Sequence, residues 1–215
     1  IGGVRTVGDS LTEAQEYDIA LQRERLATVD TLDVAAVAAH RVSTDVAYPW
    51  DQGSKALSAD ELKRREAWQS RFMPSGAMVA GRVDRLHWMT FGTPETLPLL
   101  YSEQPPLMTK GRQQAVVRVG ALQSDSEATE AQTLNWSTAP RGTAVSVRMS
   151  GLLWPEAAAR IANSAYVTRE RVGKGQVILF SGQPNFRGST RGVGRVWLNA
   201  LVYGPGLGTS AQVEL

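Results

Sequence analysis

Apolar positions recur along this chain with two different periods, and the switches between them mark its elements. From Leu11 to about Leu26, Ala14, Tyr17, Ile19, Leu21 and Leu26 stand among charges, which predicts a moderately amphipathic helix. Ser10 and Glu13 form a capping box ahead of it, the serine hydroxyl taking an orphan N–H while the glutamate reaches back. Ser58 and Glu61 repeat that logic and start a helix to about Ser70, with Leu62, Ala67 and Trp68 on one face. Before it, Gly3–Gly8 is a short β-prone run, Val34–Ala39 is compatible with helix or strand, and Thr44–Ser54 is loop.

The period changes to two after Pro74-Ser75-Gly76. Ala77–Val83 alternates as a strand, and Leu97–Tyr101, Gln114–Gly120 and Thr143–Met149 follow as further strands. Ala121–Arg141 is rich in Ser, Thr and Glu around an isolated Trp136 and reads as loop. Trp154-Pro155-Glu156 places proline at a first helical turn, where its missing N–H costs nothing, and the helix continues to about Ala162. Tyr166–Val172 and Gln176–Phe180 pair across Gly173-Lys174-Gly175. Val177–Phe180 is apolar on both faces, as befits a strand covered by helices. Ser189 or Thr190 caps a last helix whose stripe is Val193, Val196, Trp197, Ala200 and Leu201, and Gly204-Pro205-Gly206 stops it.

Three blocks of the C-terminal region, SGLLWPEAAARIA, GKGQVILF and PNFRGSTRG followed by LNALVYGPG, carry a family resemblance. Met149–Gly208 resembles the C-terminal domain of large bacterial zinc carboxypeptidases of the carboxypeptidase A superfamily. Gly81–Pro94, with Asp84, His87 and Trp88 before Phe91-Gly92 and Pro94, is similar to a second segment of the same domains. The resemblance implies an α/β fold like that of class I glutamine amidotransferases: a flavodoxin-like, three-layer open sheet, mixed or mainly parallel. It implies one accessory domain over residues 1–215, with 28–70 a variable insertion and the first strands of the sheet missing before Ile1. It further implies a periplasmic or secreted setting, a peptidase domain in the same precursor or in another subunit as partner, and zinc held in that other domain.

Composition narrows the alternatives. The 215 residues, 42% hydrophobic and 20% charged, suit one globular domain with a sizeable core. A net charge of +2, with Arg and Lys scattered among acids, argues against a nucleic-acid partner. No apolar run approaches the roughly 20 residues that cross a bilayer. The absence of cysteine removes disulfides, thiolate nucleophiles and Cys-ligated zinc.

The chemistry is thin. A zinc carboxypeptidase takes two metal ligands from a His-x-x-Glu pair. The two histidines here, His40 and His87, are followed three residues later by Ser43 and Thr90. His87 therefore reads as a turn imidazole beside Trp88. A glutaminase nucleophile needs the cysteine this chain lacks; Ser181, after the apolar strand, could replace it only with a base such as His87 brought close in space. Gln183, Asn185 and Arg187 lie beyond the carboxyl end of that strand, where open α/β sheets bind ligands. Asn185 and Arg187 could grip a carboxylate or carbohydrate, or simply hold the turn, with Arg187 paired to Glu156. The second assignment makes Arg187→Ala destabilising. The expected function is thus a non-catalytic accessory domain of a metallocarboxypeptidase-like protein; the alternatives are a stand-alone scaffolding or small-ligand-binding module and, more remotely, a serine-type hydrolase.

Overall fold

The computed structural model describes residues 58–109, 111–125, 133–134 and 137–207. Expectations for residues 1–57, including His40, and for Trp136 lie outside the described residues, as does the side chain of Trp68. The chain divides into two compact units, Ile1–Glu66 and Ala67–Leu215. Of the first, only residues 58–66 are described, and they begin helix α1 (Ala59–Ser70). Its capping box forms as expected: Glu61 Oε2 accepts from the Ser58 N–H at 2.8 Å and from its hydroxyl at 2.9 Å, while Glu61 N–H donates to Ser58 Oγ at 3.3 Å. These bonds hold the Glu61 carboxyl below its usual pKa, the Ser58 backbone bond being the largest cause.

The second unit is mixed α/β. Its strands are β1 (Ser75–Val83), β2 (Thr96–Ser102), β3 (Gln114–Val119), β4 (Ala121–Ser124), β5 (Thr133–Leu134), β6 (Ser137–Thr138), β7 (Thr143–Ser146), β8 (Arg148–Ser150), β9 (Ala165–Val172) and β10 (Gly175–Phe180). Helix α2 spans Pro155–Ile161 and helix α3 spans Arg191–Leu207. The main sheet runs β10-β9-β3-β1-β2, with β8 also on β1. Each ladder in it is antiparallel. That corrects the mixed or mainly parallel sheet expected from the resemblance. The two-residue connection between β9 and β10, with Gly173 at φ 59°, can only reverse the chain; a parallel neighbour needs a crossover of a dozen or so residues.

Two further departures have local causes. The strand expected over Thr143–Met149 splits at Val147, whose carbonyl accepts from Ala80 N–H at 2.8 Å, so β7 pairs with β4 while β8 joins β1. Ala80 O in turn accepts from Gly120 N–H, between β3 and β4. Gly120 has φ 96°, and a Cβ there would stand 2.3 Å from Val145 Cγ1, so this crossing of strands requires glycine. The β4 strand and the small β5–β6 ribbon occupy part of what reads as loop in the sequence. Helix α3 also runs through Gly204-Pro205-Gly206 to Leu207. A proline this near a helix end disturbs little of the ladder.

One core cluster joins the elements of this unit: Val79, Leu97, Leu99, Tyr101, Val116, Val117, Ile161, Tyr166, Val193 and Val196 are among its fully buried members. On α3, Val193 and Val196 are buried, Trp197 and Ala200 half-buried, and Leu201 is exposed, which corrects the stripe at its C-terminal end. Asn199 is buried in its place.

Candidate functional site

The loop after β10 carries the three candidate ligand residues. Gln183, Asn185 and Arg187 are all exposed. Asn185 precedes a 3-10 turn at Phe186–Gly188 without a side-chain capping bond. Arg187 sits at φ 49°, and its guanidinium carbon lies 5.3 Å from the Phe186 ring centroid rather than on Glu156. Ser189 spends its hydroxyl on Phe186 O at 2.9 Å. Ser181 at the start of the loop donates to Pro105 O at 3.1 Å, and the nearby Tyr101 hydroxyl donates to Gln104 O at 3.0 Å. Burial pushes the pKa of Tyr101 and of Tyr166 up to about 12, so both phenols are neutral at physiological pH.

Polar side chains concentrate instead beneath α3. The chain leaves β1 through Asp84, whose Oδ1 accepts from Leu86 N–H at 3.0 Å, and enters a 3-10 turn over Trp88–Thr90. His87 caps that turn: its Nδ1 accepts from Met89 N–H at 3.2 Å. This leaves the ring proton on Nε2. Burial lowers the His87 pKa, with the Arg169 charge adding to the fall and Asp84 and Gln114 opposing it. Thr90 ties the turn shut, its hydroxyl within reach of Asp84 O at 2.6 Å and His87 O at 2.7 Å.

Asn199 joins this turn to the last helix. Its Nδ2 donates to Met89 O and to Phe91 O, each at 2.8 Å, and the residue is 2% exposed. Arg195 Nε adds a longer bond to Phe91 O at 3.4 Å. From the other side, Arg169 Nε donates to Gln176 Oε1 at 2.9 Å and its NH1 to Gln114 Oε1 at 3.0 Å. Gln176 Nε2 then donates to Gly204 O at 3.0 Å. Gly204 allows the approach, since a Cβ there would lie 3.2 Å from Gln176 Nε2. Asp84, His87, Asn199 and Gly204 therefore belong to one polar seam that positions backbone. Each group in it is committed to a carbonyl, an N–H or an amide.

The sequence reading singled out His87 and passed over Asn199. The available signal was an amide three residues after Val196, inside an otherwise apolar helix, where burial demands hydrogen-bond partners. Among the described residues no group of three or more His, Cys, Asp or Glu side chains is placed to hold a metal ion. Trp154 packs edge-on against Phe72 at 5.7 Å, and Tyr203 edge-on against Phe91 at 6.2 Å.

Comparison with family models, with curated proteins and with solved structures returned no match for this chain.

Proposed function

We propose that this chain is a non-catalytic accessory domain that packs on the peptidase domain of a zinc metallocarboxypeptidase-like protein, in the same polypeptide or as a separate subunit. The observation that carries this reading is the outer side of α3. Leu198, Leu201 and Val202 stand there at helical spacing, opposite the buried Val193 and Val196, and Tyr203 of the same helix meets Phe91 edge-on. These five residues are 40–61% exposed. On side chains of roughly 150–250 Å² such exposures sum to about 450 Å², in the range of the largest apolar patch of a typical monomer, which is often functional. It would form the middle of a standard interface of about 800 Å² per partner.

The patch's four α3 residues lie within Met149–Gly208, the block that resembles the carboxypeptidase family, and Phe91 lies in the similar second segment, Gly81–Pro94. In this reading β10, its loop and α3 stand for the strand–loop–helix edge of an amidotransferase-like domain. Zinc belongs to the peptidase partner, and the setting is periplasmic or secreted, both by resemblance. The test is association with a peptidase domain of that family carrying His-x-x-Glu, measured by analytical ultracentrifugation. Leu198→Glu with Leu201→Glu should weaken binding at least about tenfold while leaving the fold intact, because both side chains are exposed. A chain that stays monomeric beside such a domain and binds a small ligand instead would establish the stand-alone module.

A further inference from the structure

A second feature lies away from α3, on the main sheet. Arg82 of β1 and Arg118 of β3 face each other directly in the antiparallel ladder, and Thr96 of β2 stands opposite Arg82 on its other side. Directly opposed residues project from the same face of a sheet, so Thr96, Arg82 and Arg118 form one row. Like charges so placed repel. Both arginines are half-buried. Thr96 is exposed, so the row opens to solvent at its β2 end.

Among the described residues the partners of the two guanidinium groups are all neutral. Arg82 NH2 donates to Asn163 Oδ1 at 2.8 Å and its NH1 to Gly120 O at 3.4 Å. Arg118 NH1 donates to Asn163 O at 3.1 Å and its NH2 to Thr109 Oγ1 at 3.3 Å. Among the described residues no carboxylate meets either one. Asn163 thus holds one guanidinium with its side chain and the other with its carbonyl. It does so at φ 60°, a left-handed conformation unusual for a residue with a side chain. That conformation is secured by β3, because Asn163 N–H donates to Val119 O and Val119 N–H to Ser164 O, each at 2.8 Å.

Each guanidinium carries about five N–H donors, of which partners among the described residues take two. Burial pushes both pKa values down, and at Arg82 the Arg118 charge adds to the fall. A guanidinium nevertheless stays protonated, so the pair keeps its charge. Two preoriented planar forks, half out of water and without a counter-charge among the described residues, suit a group that offers several oxygen acceptors and negative charge.

We propose that Arg82 and Arg118, oriented by Asn163, form a binding site for an oxyanion, a carboxylate or phosphate group. The site is independent of the α3 surface. Its test uses the full chain titrated with sodium phosphate and, separately, sodium acetate, each against sodium chloride of equal ionic strength, read by melting temperature and calorimetry. Saturable stabilisation by one of these anions is the expected result: phosphate assigns a phosphoryl ligand, acetate a carboxylate. Arg82→Gln and Arg118→Gln should each weaken that binding by about tenfold or more, while Arg171→Gln, an exposed arginine on β9, leaves it unchanged. On the unmodified chain, the binding anion should slow phenylglyoxal labelling of Arg82 and Arg118, resolved by mass spectrometry, more than that of Arg171. This second measurement stands even if a variant misfolds. Neither anion acting beyond chloride, or equal protection at all three arginines, would overturn the proposal.

Discussion

Replacing Asn199 by alanine isolates the seam between the last helix and the turn after β1. The substitution removes both 2.8 Å bonds from Nδ2, to Met89 O and Phe91 O, from a residue 2% exposed. Each bond contributes about 1 kcal/mol net, and a buried carbonyl left without a partner costs a further 1–3 kcal/mol. Met89 is itself fully buried, so its carbonyl has little recourse to water, whereas Phe91 O keeps the longer bond from Arg195. The expected destabilisation is therefore about 3 kcal/mol. For a chain of this size that corresponds to a fall of roughly 6–12 °C in Tm. Urea unfolding followed by circular dichroism at pH 7 gives the free energy. Leu201→Ala, on the exposed side of the same helix, should stay within about 0.5 kcal/mol of the parent and controls for helix propensity. A loss below about 1 kcal/mol for Asn199→Ala would show that Asn199 does not hold the turn to the helix.

Three further outcomes follow from the geometry. The depressed His87 pKa means that the neutral ring's contribution to stability is complete above pH 6.5 and is lost as the pH falls through the lower folded-state value; His87→Gln should flatten that part of a urea-derived stability profile, and coincident profiles below pH 6.5 would refute the assignment. Gly120→Ala should cost about 2–4 kcal/mol, from positive φ and the collision with Val145, whereas Gly142→Ala meets nothing within 4 Å and should cost about 1 kcal/mol; equal losses by calorimetry would show that the collision is relieved for free. Arg187→Ala should change stability by less than about 0.5 kcal/mol, since the side chain is exposed and rests on Phe186; a fall in Tm beyond about 3 °C would restore the structural role that the sequence suggested.

The seam under α3 and the arginine row differ in how far the sequence discloses them. His87 invites inspection because a histidine beside a tryptophan in a turn is chemically conspicuous. Asn199 does not, since its meaning depends on which carbonyls reach it from more than a hundred residues away. Arg82 and Arg118 each read as an ordinary polar position in an alternating strand. Only the β1–β3 register sets them face to face. The loop of Gln183, Asn185 and Arg187 was singled out by its place after a strand of an expected parallel sheet; it follows β10 of an antiparallel one, with all three residues exposed.

By itself the sequence determined the local elements. The Ser58–Glu61 box, the proline-started helix at Pro155, the hairpin around Gly173 and the alternating strands are all decided by interactions a few residues long, which composition and spacing report directly. Tertiary structure alone decided which strands became neighbours, why the strand after Thr143 divides at Val147, which amide is buried in α3 and which two arginines meet. A period of two says which residues share a face of one strand; it carries no record of the strand beside it, and that choice is made by chain reversal, backbone pairing and the shape of the packed core.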